Sequence, residues 1–294
     1  MVISRKVQIR LNVFFVTLAI LGILFFSMYE LGYLDELFIV LAKDNYIFYW
    51  MMLVGFLAEV VAGSMGMGYG VICTTTLLFL NIPPHIVSAS IHSAESFTTA
   101  AGSISHVKLK NVSKNLVKRL AIPAVIGAII GALCLTYLGE YYAKITKTII
   151  AFYTLYLGVQ ILSNAFKKKQ SKALKRKTNL TRLGLIGGFI DSFAGGGWGP
   201  LVTGTLIKNS FTPRFAVGSS TVAKFILTLT AAVTFFFTLG IQHWNIILGL
   251  LLGGIVTAPF SAMLTAKLPV KSMFVVIGTL VIIMSSITIY KSVF

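Results

Sequence analysis

Two glycine clusters 129 residues apart constrain this chain more than any other feature. Gly66-Met67-Gly68-Tyr69-Gly70 returns as Gly195-Gly196-Gly197-Trp198-Gly199, and each copy sits inside strongly apolar sequence. The same offset pairs Pro84 with Pro213, Ser90 with Ser219, Ala94 with Ala223 and Glu95 with Lys224. A register held over that distance reads as an internal duplication, with a backbone break at the same place in both copies.

Of the 294 residues, 56% are hydrophobic and only 11% charged, which excludes an ordinary soluble fold and makes lipid the solvent. The net charge of +17 is not a nucleic-acid footprint, because the basic residues form no patch. They fall in short links: Arg5, Lys6 and Arg10; Lys108 to Arg119; Lys167 to Arg182; Lys267 and Lys271. Five of the eight acids, Glu30, Asp35, Glu36, Asp44 and Glu140, fall in the alternate links. The positive-inside rule then makes the basic links and the N-terminus cytoplasmic in a multi-pass protein of the cell membrane. Cys73 and Cys134 lie in apolar stretches and read as small buried hydrophobes, so neither a disulfide nor a metal site is expected. There is no nucleotide-binding loop, and no cofactor is expected.

Apolar stretches at 11–29, 47–64, 119–138, 145–164, 182–196, 245–266 and 272–290 predict seven spans. Between the second and third, Asn81-Ile82-Pro83-Pro84 forces a turn between two helical stretches, and Asn209 to Pro213 does the same in the second copy. Each copy thus holds three full spans and a broken helical hairpin. An odd number of crossings requires the copies to be inverted. The expected fold is an all-α polytopic membrane protein of two inverted-topology repeats, preceded by one extra N-terminal span. Its parts are 1–45, an N-terminal helix and acidic external link; 46–166, the first repeat; 167–181, a basic cytoplasmic link; and 182–294, the second repeat.

Helix-breaking glycines in matching places of two halves point to a transporter's substrate site, where freed amide N–H groups and helix dipoles attract an anion. Gly66, Gly68, Tyr69 and Gly70 from the first copy, with Gly196, Gly197, Trp198 and Gly199 from the second, are therefore candidate substrate ligands. Past the break, His92, Glu95, Thr99 and His106 share one helix face, and the offset places Thr221, Lys224 and Thr228 on the matching face. An ammonium facing lipid costs roughly 2.5–3.5 kcal/mol, so Lys224 is expected to face Glu95 or a bound anion. Glu95, Thr99, Lys224 and Thr228 complete the candidate site. Glu59, His92 and Asp191 are the candidate proton carriers, with hydrogen bonding to freed backbone amides as the alternative role for Glu59 and Asp191.

The glycine-rich break, the proline some fourteen residues on, the small-residue runs Ser88-Ala89-Ser90 and Gly218-Ser219-Ser220, and Gly-Ala-x-x-Gly-Ala at 127–132 resemble the TauE/SafE sulfite exporter family. The family's glycine motif falls on Gly66–Gly70 and Gly195–Pro200, with Met65 and Met67 interrupting the first copy. The resemblance implies a cytoplasmic-membrane carrier of sulfite, organosulfonates or similar small anions, and it admits a homodimer. It also implies export. The competing readings are a cation or proton channel through Glu59, Glu95 and Asp191, and a membrane-embedded hydrolase using Ser64 or Ser96 with His92. The hydrolase lacks a nucleophile, base and orienter at workable spacing, so no catalytic residue is assigned.

Overall fold

A computed structural model describes residue 30 and residues 46–65, 67–166, 178–209, 211–240, 243–264 and 270–294. The expected span at 11–29, Gly66, and the link at 167–177 lie outside the described residues. The described residues form helices and no strand. In chain order these are α1 (Ile47–Met65), α2 (Tyr69–Phe79), α3 (Pro84–Lys108), α4 (Lys114–Tyr141), α5 (Ala143–Phe166) and α6 (Leu180–Ala194). A π-helical turn (Gly199–Thr203) then leads into α7 (Gly204–Lys208), α8 (Pro213–Leu239), α9 (Trp244–Leu264) and α10 (Val270–Val293).

Among the described residues, α4, α5, α8 and α10 are long and apolar enough to cross a membrane alone. On α4, Ile122, Ile126, Ile130 and Leu133 form an exposed apolar stripe, and Ile145, Ile149, Phe152 and Tyr156 do so on α5. Spacings of three and four put each set on one helix face, as expected where the outer solvent is hydrocarbon. One expectation is corrected. The stretch at 182–196 is not a full span but the 15-residue α6, about 22 Å at 1.5 Å per residue against a hydrocarbon core of roughly 30 Å. The left-handed backbone at Gly195 (φ 70°) ends it early.

The turns fall at the prolines as expected, and α3 begins at Pro84 and α8 at Pro213, where a missing N–H costs nothing. Each hairpin has unequal arms. The 11-residue α2 is about 16 Å long and its partner α3, with 25 residues, about 37 Å. The two tips sit at opposite ends of α4. At its C-terminal end, His85 of the first tip packs on Gly139, and Lys147 donates to Asn81 Oδ1 at 2.5 Å. At its N-terminal end, the Ser113 amide donates to Ser219 Oγ at 2.9 Å, while Arg214 bonds the Asn111 side chain and the Leu109 carbonyl.

Two long helix pairs run antiparallel through the centre. Along α3 and α8, His92 meets Phe235, Thr99 meets Thr228 and Ser103 meets Thr221, so one number falls as the other rises. Along α5 and α10, Thr154 bonds Ser285 at 2.9 Å, Gly158 packs on Val281 and Leu162 on Gly278. Small residues let other helices approach just as closely. A Cβ at Gly188 of α6 would lie 2.8 Å from Ala124 Cα of α4, and one at Gly55 of α1 would lie 2.9 Å from Leu250 Cα of α9.

Candidate functional site

The two glycine breaks meet backbone to backbone at the centre of the fold. A Cβ on Gly70 would come within 2.7 Å of Gly196 Cα, and one on Gly196 within 2.8 Å of Gly70 Cα. No side chain fits between them. Thr74 Oγ1 donates to the Gly195 carbonyl at 2.8 Å and ties the breaks together. Gly68 (φ 112°) and Gly197 (φ 143°) hold left-handed backbone that any Cβ would strain, which explains the residue type at both turns.

Beside this junction a cavity of about 180 Å³ opens between α3 and α8. Lys224 and Glu95 form its floor, with the Lys224 ammonium on Glu95 Oε1 in a buried ion pair. Glu59 and Ala62 of α1, Tyr69 of α2 and Thr221 of α8 form its walls, and Thr98, Thr99, Gly102 and His106 climb one face of α3. His106 lies two residues from Lys108, so the cavity extends toward the end of the molecule where Lys108, Lys110, Lys114 and Arg214 gather. Glu59 has no hydrogen bond or ion pair to another described residue, and Glu95 Oε2 is buried with no hydrogen-bond partner.

The structure divides the sequence candidates into two groups. Glu59, Tyr69, Glu95, Thr99 and Lys224 line the cavity. Thr228 reaches its edge through Thr99, hydroxyl to hydroxyl at 3.2 Å. Gly70 and Gly196 are occupied by each other, and Gly197 packs on the Tyr153 hydroxyl. Gly68 caps α2 just below Tyr69 and accepts from the Ile72 amide at 3.0 Å. Gly199 opens the π-helical turn.

Trp198, His92 and Asp191 form a second, closed cluster. His92 Nε2 lies 3.5 Å from Asp191 Oδ2, and neither side chain is exposed. Asp191 Oδ1 accepts the Trp198 amide N–H at 2.7 Å, so the protein's own carboxylate occupies the positive end that the sequence reading offers to a substrate anion. The Trp198 indole N–H donates to Ser220 Oγ at 2.8 Å, and Ser88 Oγ donates to the Ser192 carbonyl at 2.6 Å. Sequence reasoning missed Thr98, Gly102 and Ala62 as lining residues. Their signal was present, since Thr98 and Gly102 continue the Glu95 and Thr99 face by three or four residues.

The apolar, all-helical architecture of the described residues agrees with the comparisons. A family model described as Sulfite exporter TauE/SafE matches residues 51–287. The chain belongs to the TauE/SafE family. The chain is similar to the probable membrane transporter protein YtnM of Bacillus subtilis (strain 168), 36% identical over 244 residues, which cover 80% of each chain. A probable membrane transporter protein of Haemophilus influenzae is 26% identical over 243 residues, covering 76% of this chain and 90% of that one. No solved structure matches the chain. TauE/SafE membership and transporter relatives make this a multi-pass membrane protein of the transporter type.

Proposed function

We propose that the protein is a secondary carrier that exports a small sulfur-containing anion, such as sulfite or an organosulfonate, across the cytoplasmic membrane. The observation that carries the reading is an ammonium at the floor of a small, half-open cavity beside two backbone breaks. A volume of about 180 Å³ is roughly the share of six waters, which suits a solute of a few atoms and is well below drug-sized sites. Lys224 spends one N–H on Glu95 and keeps two for a ligand. An arriving anion competes with Glu95 for Lys224, and Glu59, His92 and Asp191 are the groups through which a proton would move with it.

We read the halves as inverted repeats that alternate access to this site. In support, residues related by the 129-residue offset meet directly, Glu95 with Lys224 and Thr99 with Thr228, as residues on a two-fold axis do. Their helices α3 and α8 run antiparallel, as do α5 and α10, which the same offset superposes in sequence. The offset also carries Ala62 to Asp191, Tyr69 to Trp198 and His106 to Phe235, and carries Thr221 back to His92. The first member of each pair lines the open cavity, and the second belongs to the closed cluster. One half-site is open toward the basic face while its counterpart is shut, the asymmetry expected of a carrier caught on one side. With basic links inside, that side is the cytoplasm.

Reconstitution into liposomes tests the carrier reading. Uptake of sulfite or ethanesulfonate should saturate and be accelerated by the same anion loaded inside. Flux that rises linearly without counterflow would point to a channel and overturn it.

A further inference from the structure

Every hydroxyl lining the candidate cavity has given its proton to the protein. Thr98 and Thr99 donate to the Glu95 carbonyl at 3.2 and 2.6 Å, Thr221 donates to Val217 O at 2.9 Å, and Tyr69 donates to Leu250 O at 3.3 Å. A hydroxyl has one proton and two lone pairs, so each is left with acceptor capacity only. To these is added the Glu59 carboxylate, which bonds no described residue, while Glu95 Oε2 is buried away from the cavity surface without a partner. The donors are few: Lys224 at the floor, His106 toward the mouth, and the uncapped amides of the first turn of α2 at Tyr69.

A bare oxyanion is an acceptor on every side. Bound here it would satisfy Lys224 but meet two carboxylates across a cavity too small to keep it hydrated. With both carboxylates ionised, the side-chain wall carries one more negative than positive charge. An unpaired acceptor in a desolvated site costs free energy, and a like charge costs more. A ligand that presents an anion to Lys224 and an ammonium to the acceptors removes both costs.

We infer that the site, read as the substrate site above, is built for a zwitterion: a sulfur oxyanion held by Lys224 and, across the cavity, an ammonium received by Glu59. Glu59 then sets specificity, and Lys224 anchors the group shared by all substrates. The size agrees, since an aminosulfonate of two carbons has about as many non-hydrogen atoms as the cavity has waters' worth of volume.

The test compares 2-aminoethanesulfonate with ethanesulfonate, which lacks only the amine, by equilibrium binding to the purified full chain. The aminosulfonate should bind the unaltered protein at least about ten-fold more tightly. Glu59→Gln should shrink that ratio to within about three-fold by weakening the aminosulfonate, and Lys224→Gln should weaken both ligands. Equal affinities in the unaltered chain would overturn the inference, as would a ratio untouched by Glu59→Gln. Should that variant not fold, the ligand pair on the unaltered chain still decides. Failure is separable from failure of the carrier reading: if both sulfonates bind and move equally, only the zwitterion preference falls, whereas if neither binds, the cavity is not the substrate site.

Discussion

Removing the cation from the central pair should destabilise the fold, and removing the anion as well should restore much of the loss. Lys224→Met leaves Glu95, with 3% of its side chain exposed, facing no other cation across the cavity floor. Its second oxygen already lacks a partner, so no donor is at hand to take over. Truncating one member of a buried ion pair costs about 3–5 kcal/mol, because the other charge is left uncompensated. Lys224 keeps 16% of its side chain exposed, so water can reach the site and the lower part of that range is expected. At about 2–4 °C per kcal/mol for a chain of this size, the unfolding midpoint in detergent should drop by roughly 6–12 °C. Lys224→Met combined with Glu95→Gln removes both charges of the pair, and should regain more than half of that loss. Anion flux should stay abolished in both. A double variant as destabilised as the sum of its single changes would mean that the two side chains do not interact, and would refute the reasoning.

Three further outcomes follow from the same geometry. Gly196→Ala places a Cβ 2.6 Å from the Gly70 carbonyl carbon, so it should destabilise by about 1–3 kcal/mol or more, whereas Gly204→Ala, whose Cβ meets only Gly199 O at 3.7 Å, should be near neutral in thermal unfolding. Asp191→Asn keeps an acceptor for the Trp198 amide, while Asp191→Ala leaves that buried N–H bare at a cost of about 1–3 kcal/mol, so the alanine variant should melt well below the asparagine one. In a background lacking Cys134, Thr221→Cys should react with a membrane-impermeant thiol reagent applied to the basic face and be protected by substrate, while Ala231→Cys, the counterpart of the cavity residue Gly102, should not react. Equal labelling of the two would argue against one open and one closed half-site.

Much of the arrangement was legible because it depends on local signals repeated twice. Pro83, Pro84 and Pro213 mark the hairpin turns through their own sterics, and the long helices begin on Pro84 and Pro213 themselves. The shared offset led from Glu95 to Lys224 and from Thr99 to Thr228, and both pairs are in contact. What the sequence could not convey is rotation and length. Whether Trp198 looks into a cavity or onto Ser220 depends on the phase of the π-helical turn at Gly199–Thr203, which no residue pattern announces. The choice of Asp191 as partner for the Trp198 amide depends on α6 stopping at Ala194, so that the carboxylate faces the freed N–H. Hydropathy extends that helix to 196 because glycine is counted as lipid-compatible even where its backbone turns left-handed.

Equilibrium binding of radiolabelled sulfite to the purified chain, unaltered and with Lys224→Gln, tests whether the Lys224 ammonium holds the anion. Saturable binding in the unaltered protein that disappears in a Lys224→Gln variant of native helical content is the predicted result. Binding of undiminished affinity in that variant would show that the anion is held elsewhere, and would contradict it.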